Sequence, residues 1–452
     1  MEFYSVNPYN GKQIGKYTAQ TGEEITKILD QSGEAFKDWS KQPISFRTKL
    51  LEKAAQVLRD NLDEYAKMIT QEMGKPISES RAEVNKCAWV CEYYAENASD
   101  FLQQEEIKTD ASHSYVRHDP IGSVFAVMPW NFPFWQVFRF AAPTLTAGNT
   151  GILKHAPNVF GCALMIEEVF KKAGYPPGVF QNLIVHHDQT EMIIAHDAVQ
   201  AVTLTGSEAA GSAVAQLAGK YIKKSLLELG GNNSFIVRED ADIDKAVKTA
   251  ITARMLNCGQ SCIAAKRFIL LEGIYDEFVS KFKTAVSELK AGDTMDDTTQ
   301  VGPLARKDLA DQLQRQVKRS IDKGAELILG GEQNECFHQP TILGNVKPRM
   351  PAFDEETFGP LAAMIKVKNI EEAFDLSEKS KFGLGTTVFT KDIEEAMQMA
   401  GSVSDGAYFV NELVKSDPRL PFGGTKRSGY GRELAKDGMM EFVNKKTVYV
   451  KA

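Results

Sequence analysis

Residues 123–128, Ser-Val-Phe-Ala-Val-Met, form an unbroken apolar run that ends just before Pro129. Such a run, followed by a helical pattern, predicts a buried β-strand. Helical and apolar patterns keep alternating beyond it, and further strands are predicted at 150–154, 179–185 and 201–205. Strands that alternate with helices are typical of βαβ units. The stretch therefore predicts a parallel, doubly wound α/β sheet.

The rest of the chain repeats or flanks this pattern. A second alternating block begins at residue 225 and carries strands predicted at 267–271, 326–329, 361–367 and 386–390. Helices are predicted ahead of the first block, at 21–39, 45–73 and 80–101. Thr21 and Glu24 fit a capping box at the first of them. Residues 104–120 lose the helical period, and the tail 442–451 is rich in Val, Thr and Tyr, so both are expected to be extended.

The composition bounds the class of protein. A chain of 452 residues is too long for one hydrophobic core and suggests two or three domains. The net charge is −7 with both signs mixed, which argues against nucleic acid or an anionic membrane as a partner. The amino terminus lacks a basic region followed by an apolar run, and prolines break the most apolar stretch, 121–135. We expect a cytoplasmic protein.

One loop carries a candidate nucleophile. Cys262 follows Gly259, Gln260 and Ser261, small or polar residues that suit a backbone turn and the close approach of a ligand. The loop lies between a predicted helix and the predicted strand 267–271. A reactive thiol fits this place, and so does a buried cysteine that acts as a small hydrophobe. The six cysteines show no histidine pair that would complete a zinc site, and no metal is expected.

Two further residues suit catalysis. Glu228 stands in an apolar strand, where burial of an unpaired carboxylate raises its pKa and suits a general base. A salt-bridged or solvent-facing glutamate is the alternative. Asn131 stands between Pro129 and Pro133 in a rigid turn, from which its amide could stabilise an oxyanion. An asparagine that bonds only within its own turn is the alternative.

A nucleotide-binding signal is present without the usual glycine fingerprint. No G-x-G-x-x-G follows any strand, but Gly206 and Ser207 stand where a strand meets a helix. The helix amides there could hold a pyrophosphate, or Ser207 could simply cap the helix. Lys154 ends a buried strand, from which it could contact ribose hydroxyls or extend to solvent.

In this order the segments resemble the aldehyde dehydrogenase superfamily over essentially the whole chain. The matching segments are Pro129-Trp-Asn-Phe-Pro133, Lys154, Thr205-Gly-Ser207, Glu228-Leu-Gly-Gly-Asn232, Gly259-Gln-Ser-Cys262, Glu356-Thr-Phe-Gly-Pro360 and Pro421-Phe-Gly-Gly-Thr-Lys-Arg-Ser-Gly429. The resemblance implies a Rossmann-type dinucleotide-binding domain, an α/β catalytic domain and a small β oligomerisation arm. The expected domains are 1–103 with 121–229, then 230–432, and for the arm 104–120 with 433–452.

The resemblance also implies a mechanism. Cys262 as thiolate would attack an aldehyde carbon, and the oxyanion would lie between the Asn131 amide and the Cys262 backbone N–H. Hydride transfer to nicotinamide would leave a thioester, which Glu228 would help water to hydrolyse. Coenzyme A-acylating members typically lack this glutamate, so a hydrolytic, acid-producing enzyme is favoured.

For the cofactor, the resemblance places Lys154 on the adenosine ribose, with Trp130, Gly206 and Ser207 near the ribose and pyrophosphate. It places Glu356 and Phe358 near the nicotinamide ribose and ring. NAD-preferring members often carry a glutamate three residues after the lysine, but here Pro157 stands there. Because no carboxylate repels a 2′-phosphate, NADP is preferred with NAD accepted; His155 and Asn158 are further candidates near that phosphate.

For the substrate, Arg139 is eight residues after Asn131 on a helix expected to line the entrance tunnel. It could hold a carboxylate in a bidentate pair, as the matching arginine of succinate-semialdehyde dehydrogenases implies, or lie on the surface. The short chain resembles a compact bacterial branch of that group. A second arginine of some members is replaced by Leu256. Ser416, Lys415 or Arg419 is expected to supply the missing polar contact. Phe132 and Trp135 are expected to form the apolar wall.

Alternatives remain at this stage. A broad aliphatic, lactaldehyde or glycolaldehyde dehydrogenase would share the catalytic residues, and a non-catalytic binding protein would share the fold. A cofactor-free thiol hydrolase is disfavoured because no histidine falls within the matching segments. Cys258 is either part of a regulatory disulfide or an ordinary buried thiol. The exposed tail strand implies a homodimer or a dimer of dimers.

Overall fold

The computed structural model describes residues 1–452 and contains 22 strands and 15 α-helices. The amino-terminal half comprises β1 (Glu2–Val6), β2 (Gln13–Thr18), α1 (Gly22–Trp39), α2 (Ile44–Asp60), α3 (Leu62–Met73), α4 (Ile77–Phe101), β3 (Glu105–Glu106), β4 (His113–Pro120), β5 (Ser123–Met128), α5 (Trp135–Thr146), β6 (Thr150–His155), α6 (Phe160–Ala173), β7 (Phe180–Asn182), α7 (Thr190–Ala195), β8 (Val199–Thr205), α8 (Glu208–Lys220) and β9 (Lys224–Glu228).

The carboxyl-terminal half continues with a second set. Its elements are β10 (Asn233–Val237), α9 (Ile243–Met255), β11 (Ala265–Leu271), α10 (Glu272–Ser287), α11 (Lys307–Asp322), β12 (Glu326–Leu329), β13 (Gln333–Asn334), β14 (Phe337–His338), β15 (Thr341–Gly344), α12 (Pro351–Asp354), β16 (Leu361–Val367), α13 (Ile370–Glu378), β17 (Phe382–Gly383), β18 (Thr386–Phe389), α14 (Ile393–Gln398), β19 (Tyr408–Val410), β20 (Thr425–Lys426), β21 (Gly429–Tyr430), α15 (Ala435–Met440) and β22 (Val443–Val450).

Two large sheets confirm the predicted α/β fold. The first has the strand order β21-β9-β8-β5-β6-β7 and is parallel except for β21. The second has the order β12-β15-β16-β11-β10-β18-β19 and is parallel except for β12. Helices cover both faces of such sheets, which explains why β5, β10 and β11 are almost wholly buried.

A third sheet lies apart from these two. β22 pairs with β4, and β4 pairs with β3, all antiparallel. β22 has a partner on one side only, so its other backbone edge is open. None of the helices in the structure is both long and apolar enough to cross a membrane.

Three predicted boundaries were wrong, for local reasons. The predicted helix 45–73 divides into α2 and α3 at Asn61, whose side-chain amide donates to the Val57 carbonyl at 2.7 Å and competes with the helical backbone. The helix predicted from Ser80 starts at Ile77, directly after Pro76. The strand predicted at 179–185 is only three residues long in the structure, as β7 (Phe180–Asn182).

Candidate active site

The functional edges of the two large sheets meet. β5, β6, β8 and β9 all end at the carboxyl edge of the first sheet. Glu228 is the last residue of β9, and the segments that follow β5 and β8 carry Asn131 and Ser207. Cys262 precedes β11 at the amino edge of the second sheet. Side-chain bonds connect the two edges, for example from Asn131 Nδ2 to the Gln260 carbonyl at 3.0 Å. The fold therefore gathers residues that are far apart in sequence.

The loop before β11 is strained and tightly held. Asn257 and Cys258 have φ values of 55° and 53°, in the left-handed region, which costs about 1–3 kcal/mol for each non-glycine residue. The Asn257 amide donates to the carbonyls of Asn131 at 2.7 Å and Gln260 at 3.1 Å. The buried Arg254 donates to the Gly259 carbonyl at 2.8 Å. These bonds fix the backbone that presents Cys262.

The thiol of Cys262 lines a cavity of about 170 Å³. Burial raises its pKa to about 11, while the charges of Arg139 and Lys266 oppose the increase. The Lys266 ammonium donates to the Cys262 carbonyl at 2.9 Å and so lies beneath the loop. At neutral pH the free thiol is therefore protonated, and its attack on a carbonyl needs a base.

Glu228 is a buried carboxylate at the end of β9. Neither of its oxygens has a hydrogen-bond partner in the structure. Burial raises its pKa well above the usual range, Arg139 opposes that increase, and Glu433 reinforces it. A carboxylate that is unpaired and easily protonated has the properties of a general base working near neutral pH.

Asn131 projects from a turn that is held on both sides. His155 Nε2 lies 2.8 Å from the Pro133 carbonyl, and Glu83 accepts from the backbone N–H groups of Phe134 and Trp135 at 2.8 and 2.9 Å. One amide proton of Asn131 is used by Gln260, which leaves the second as a donor. Its buried position beside the cysteine loop suits the stabilisation of an oxyanion.

Arg139 is buried, so the surface alternative for this residue was wrong. Its Nε lies 2.6 Å from Oε2 of Glu433, although the N–H is not directed at that oxygen. Its Nη2 donates to Thr205 Oγ1 at 3.2 Å, and its guanidinium stacks over the ring of Phe422. Arg139 lines the same cavity as Cys262, but Glu433 already neutralises much of its charge.

The remaining wall of the cavity agrees with the sequence analysis in most positions. Phe132, Trp135, Lys415 and Ser416 line it. Arg419 does not line it, because its guanidinium pairs with Asp417 at 2.7 Å and its side chain is 66% exposed.

The residues predicted for a cofactor lie along the same edge of the first sheet. Lys154, at the end of β6, is buried, and burial lowers the pKa of its ammonium with no offsetting carboxylate nearby. Pro157 is exposed two residues beyond β6, so an acidic group is absent from this position. An unpaired buried ammonium next to an uncharged surface fits an anionic or hydroxyl-rich ligand.

Ser207 caps α8, since its Oγ accepts from the Ala210 N–H at 3.2 Å. Gly206 donates its backbone N–H to the Glu228 carbonyl at 2.9 Å, which ties this turn to β9. The start of α8 remains exposed and presents its positive end to solvent. Capping and anion binding at a helix start are compatible, because several backbone N–H groups are available there.

The other predicted cofactor residues are Trp130, from the first half of the chain, and Glu356 and Phe358, from the second half. The rings of Trp130 and Phe358 meet edge to face with centroids 5.7 Å apart. Glu356 accepts from the Gly231 N–H at 3.0 Å and lies 3.4 Å from the Lys266 ammonium. A Cβ on Gly230 would crowd the carboxylate of Glu356, so a larger residue there would require Glu356 to move.

Comparison with known proteins decides the family. The sequence profile of the aldehyde dehydrogenase family matches residues 1–448. The chain belongs to the aldehyde dehydrogenase family.

Bacterial members of this family are similar to the chain over its full length. It is 47% identical to a probable NADP(+) succinate-semialdehyde dehydrogenase of Synechocystis sp., with 100% of both chains covered. It is 44% identical to a succinate semialdehyde dehydrogenase of Escherichia coli K12 named for NAD(P)+, covering 98% of this chain and 97% of that one. The structure of succinic semialdehyde dehydrogenase from Streptococcus pyogenes with NADP+ superimposes with a TM-score of 0.97 at 36% identity, with both chains fully covered.

One expectation for this aldehyde dehydrogenase needs correction, and one open alternative is resolved. His155 is fully buried and bonded to Pro133, and burial lowers its pKa to about 4, so it supports the turn rather than facing a cofactor phosphate. Cys258 is a free, buried thiol that contacts the Gly302 carbonyl at 3.2 Å. The structure therefore shows no disulfide at Cys258.

Sequence reasoning missed three charged residues of the aldehyde dehydrogenase site. Glu433 pairs with Arg139, Glu79 accepts from the Asn257 N–H at 2.8 Å, and Lys86 lines the cavity from α4. Burial raises the pKa of Glu79 to about 7. The only available signal was helical spacing, because Glu79, Glu83 and Lys86 follow one another at intervals of four and three residues on α4.

Proposed function

We propose that this enzyme oxidises succinate semialdehyde to succinate and prefers NADP to NAD. The observation that carries the proposal is a single cavity lined by Cys262 and by two basic side chains, Arg139 and Lys86. A cationic wall near the nucleophile favours an aldehyde that carries a carboxylate. The names of the similar bacterial enzymes support this substrate; the Synechocystis enzyme is named for NADP, and the Escherichia coli enzyme is named for both cofactors.

Cys262, Glu228 and Asn131 are proposed as the catalytic residues. Glu228 accepts the thiol proton, directly or through water, and the Cys262 sulfur adds to the aldehyde carbon to form a thiohemiacetal. The second amide proton of Asn131 and the backbone N–H of Cys262 stabilise the oxyanion. When bound, the nicotinamide supplies the two-electron acceptor for oxidation to the thioester. After Glu228 has released its first proton to solvent, it takes a proton from water, whose hydroxide attacks the thioester carbonyl. The acid is released, and the Cys262 thiolate leaves and regains a proton from Glu228.

The cofactor is proposed to extend along the carboxyl edge of the first large sheet from Lys154 to Cys262, a path called here the cofactor groove. Lys154 contacts the hydroxyl or phosphate groups of the adenosine ribose. The exposed start of α8 at Gly206 and Ser207 receives the pyrophosphate. Further contacts along the cofactor groove are proposed from Trp130, Pro157, Glu356 and Phe358. Pro157 leaves room for a 2′-phosphate because it contributes no negative charge.

The substrate is proposed to extend from Cys262 along the cavity wall. Phe132 and Trp135 cover its methylene groups, and Arg139 and Ser416 provide polar contacts. Outside the site, the open edge of β22 supports a homodimer or a dimer of dimers. We also propose a cytoplasmic location.

Initial rates with an aldehyde panel test the function. We expect NADPH formation with succinate semialdehyde at a kcat/KM well above that with butanal, and higher with NADP than with NAD. Equal kcat/KM values for the two aldehydes would favour a broad aliphatic dehydrogenase. No reduced cofactor with any aldehyde would favour a non-catalytic protein on this fold.

A further inference from the structure

We propose that Lys86 and Ser416 form the subsite that binds the distal carboxylate of the substrate. This inference rests on the proposed function and deepens it, because it assigns specificity to a residue outside the matching segments. Lys86 projects from α4 into the cavity that contains Cys262. Its ammonium donates to Ser416 Oγ at 2.9 Å and lies 4.2 Å from the ring centroid of Trp135.

The hydroxyl of Ser416 is oriented by its neighbours. Its oxygen accepts from Lys86 Nζ and, at 3.1 Å, from Trp135 Nε1. A serine oxygen has two acceptor positions and one proton, so these two bonds leave the proton as a donor. Lys86 and Ser416 therefore present a charged donor and a neutral donor side by side, which is the arrangement that a carboxylate needs.

The other cations near the cavity are already paired. Arg139 lies 2.6 Å from Glu433, and Lys415 lies 3.1 Å from Glu412. Lys75, which is fully buried behind the wall, pairs with Glu83. Lys86 has no carboxylate within 4.0 Å, so it can pair with an incoming anion without losing an existing ion pair.

The titration of Lys86 agrees with such a subsite. Burial, together with the positive charge of Arg139 on α5, lowers its pKa to about 8. Cys87 and Glu83 on α4, and Asp417 on the loop beyond Ser416, oppose that decrease. Lys86 is therefore mostly protonated at neutral pH and loses its charge as the pH rises through about 8.

Lys86→Met tests the subsite through the ratio of kcat/KM for succinate semialdehyde to kcat/KM for butanal, measured with NADP. We expect this ratio to fall about tenfold to a hundredfold, through a higher KM for succinate semialdehyde, because a charge-assisted contact is lost. The butanal rate should stay nearly constant, which shows that the variant is folded. Lys86→Arg should restore part of the ratio. Arg419→Met, which removes a cation outside the cavity on the same loop, should leave it unchanged.

The pH profile gives a second readout. Glu79 also lines the cavity and has a pKa of about 7, so its titration is present in both proteins. In the wild-type enzyme the ratio should show a further fall as the pH rises through about 8, and in Lys86→Met that second fall should be absent. A wild-type enzyme without preference for succinate semialdehyde would overturn the proposed function. A wild-type preference that survives unchanged in Lys86→Met would overturn only the Lys86 subsite.

Discussion

At the scale of single residues, Arg139 affects three ionisable groups at once. Burial raises the pKa of Cys262, Glu228 and Glu433, and the positive charge of Arg139 opposes the increase at each of them. Replacing Arg139 therefore changes the chemistry as well as the substrate contact. An Arg139→Met variant is expected to lose activity with charged and uncharged aldehydes alike, which makes Lys86 the sharper probe of carboxylate recognition.

The two cysteines of the active-site loop provide a matched pair of variants. Cys262→Ser should abolish measurable aldehyde oxidation, because a serine hydroxyl is far less acidic and less nucleophilic than a thiol. Cys258→Ser keeps a donor for the Gly302 carbonyl and should retain most of the activity. Steady-state NADPH formation measures both. An active Cys262→Ser variant, or an inactive but folded Cys258→Ser variant, would contradict the assignment.

Glu228→Gln should lower kcat by roughly 10² to 10⁴, as expected for the loss of a general base. It should also change the pH dependence of stability. Because burial raises the folded-state pKa of Glu228, the native protein keeps a proton that the unfolded chain loses above about pH 4.5, so wild-type stability falls as the pH rises. Glu228→Gln has no titratable group at this position, so its stability does not fall with pH for this reason. Its Tm relative to wild type should therefore be more favourable at about pH 8 than at about pH 5.

Scanning calorimetry of both proteins at the two pH values measures this difference. Glu441→Gln is a suitable control, because Glu441 is a carboxylate near Arg432 and Lys224 outside the cavity. A Tm of Glu228→Gln that becomes less favourable relative to wild type between about pH 5 and about pH 8 would contradict a raised pKa at Glu228.

Pro157→Glu should reverse the cofactor preference. A carboxylate at this exposed position would repel a 2′-phosphate, and the KM for NADP should rise on the order of tenfold to a hundredfold while that for NAD changes little. Pro157→Gln has nearly the same shape without the charge and should preserve the preference. Equal effects of the two substitutions would show that the proline ring, and not the absence of charge, governs the choice.

At the scale of elements, the start of α1 shows how local sequence fixes local structure. Thr21 Oγ1 accepts from the Glu24 N–H at 3.3 Å, and Glu24 accepts from the Thr21 N–H at 2.7 Å, as the capping box predicted. Both partners lie within three residues, so the sequence was sufficient. The division of the helix at Asn61 was harder to predict, although Val57 is only four residues away. The Asn61 amide can donate either to water or to the Val57 carbonyl, and the sequence does not show which.

Thr21→Ala should destabilise the first turn of α1 by about 1 kcal/mol. Hydrogen exchange of the backbone amides at residues 22–26 should be roughly fivefold faster than in wild type. Thr21→Ser keeps the accepting oxygen and should exchange at the wild-type rate. An unchanged rate in Thr21→Ala would mean that packing of α1 alone holds this turn.

At the scale of the whole molecule, the three-stranded sheet leaves one backbone edge of β22 in water. Val450 on β22 is 43% exposed beside the open backbone edge. If subunits pair there, the solution mass should be a multiple of 50.0 kDa, and Val450→Glu should shift it toward 50.0 kDa. Met397→Glu introduces the same charge at an exposed site on α14 and should leave the mass unchanged. Light scattering after size exclusion measures it.

The predicted domain boundaries remain a prediction. The short strand β21, which comes from the predicted catalytic segment 230–432, pairs with β9 in the first large sheet. Its pairing brings Gly429 opposite Glu228, so the last part of the catalytic segment helps to enclose the proposed base. The site thus belongs to both blocks.

The sequence by itself determined the alternation of strands and helices and the identity of Cys262, Glu228, Asn131 and Lys154 as candidates. Each candidate follows from a local pattern: a polar residue within or just after an apolar strand, or a cysteine on a loop of small and polar residues. The resemblance of the matching segments, in their order, to the aldehyde dehydrogenase superfamily then strengthened these candidates. Tertiary structure alone decided how the charges are paired. Lys86 and Ser416 are 330 residues apart, and local sequence carries no record of such a contact. Because a buried charge is governed by its nearest partner, only packing could show that Arg139 is neutralised and Lys86 is not.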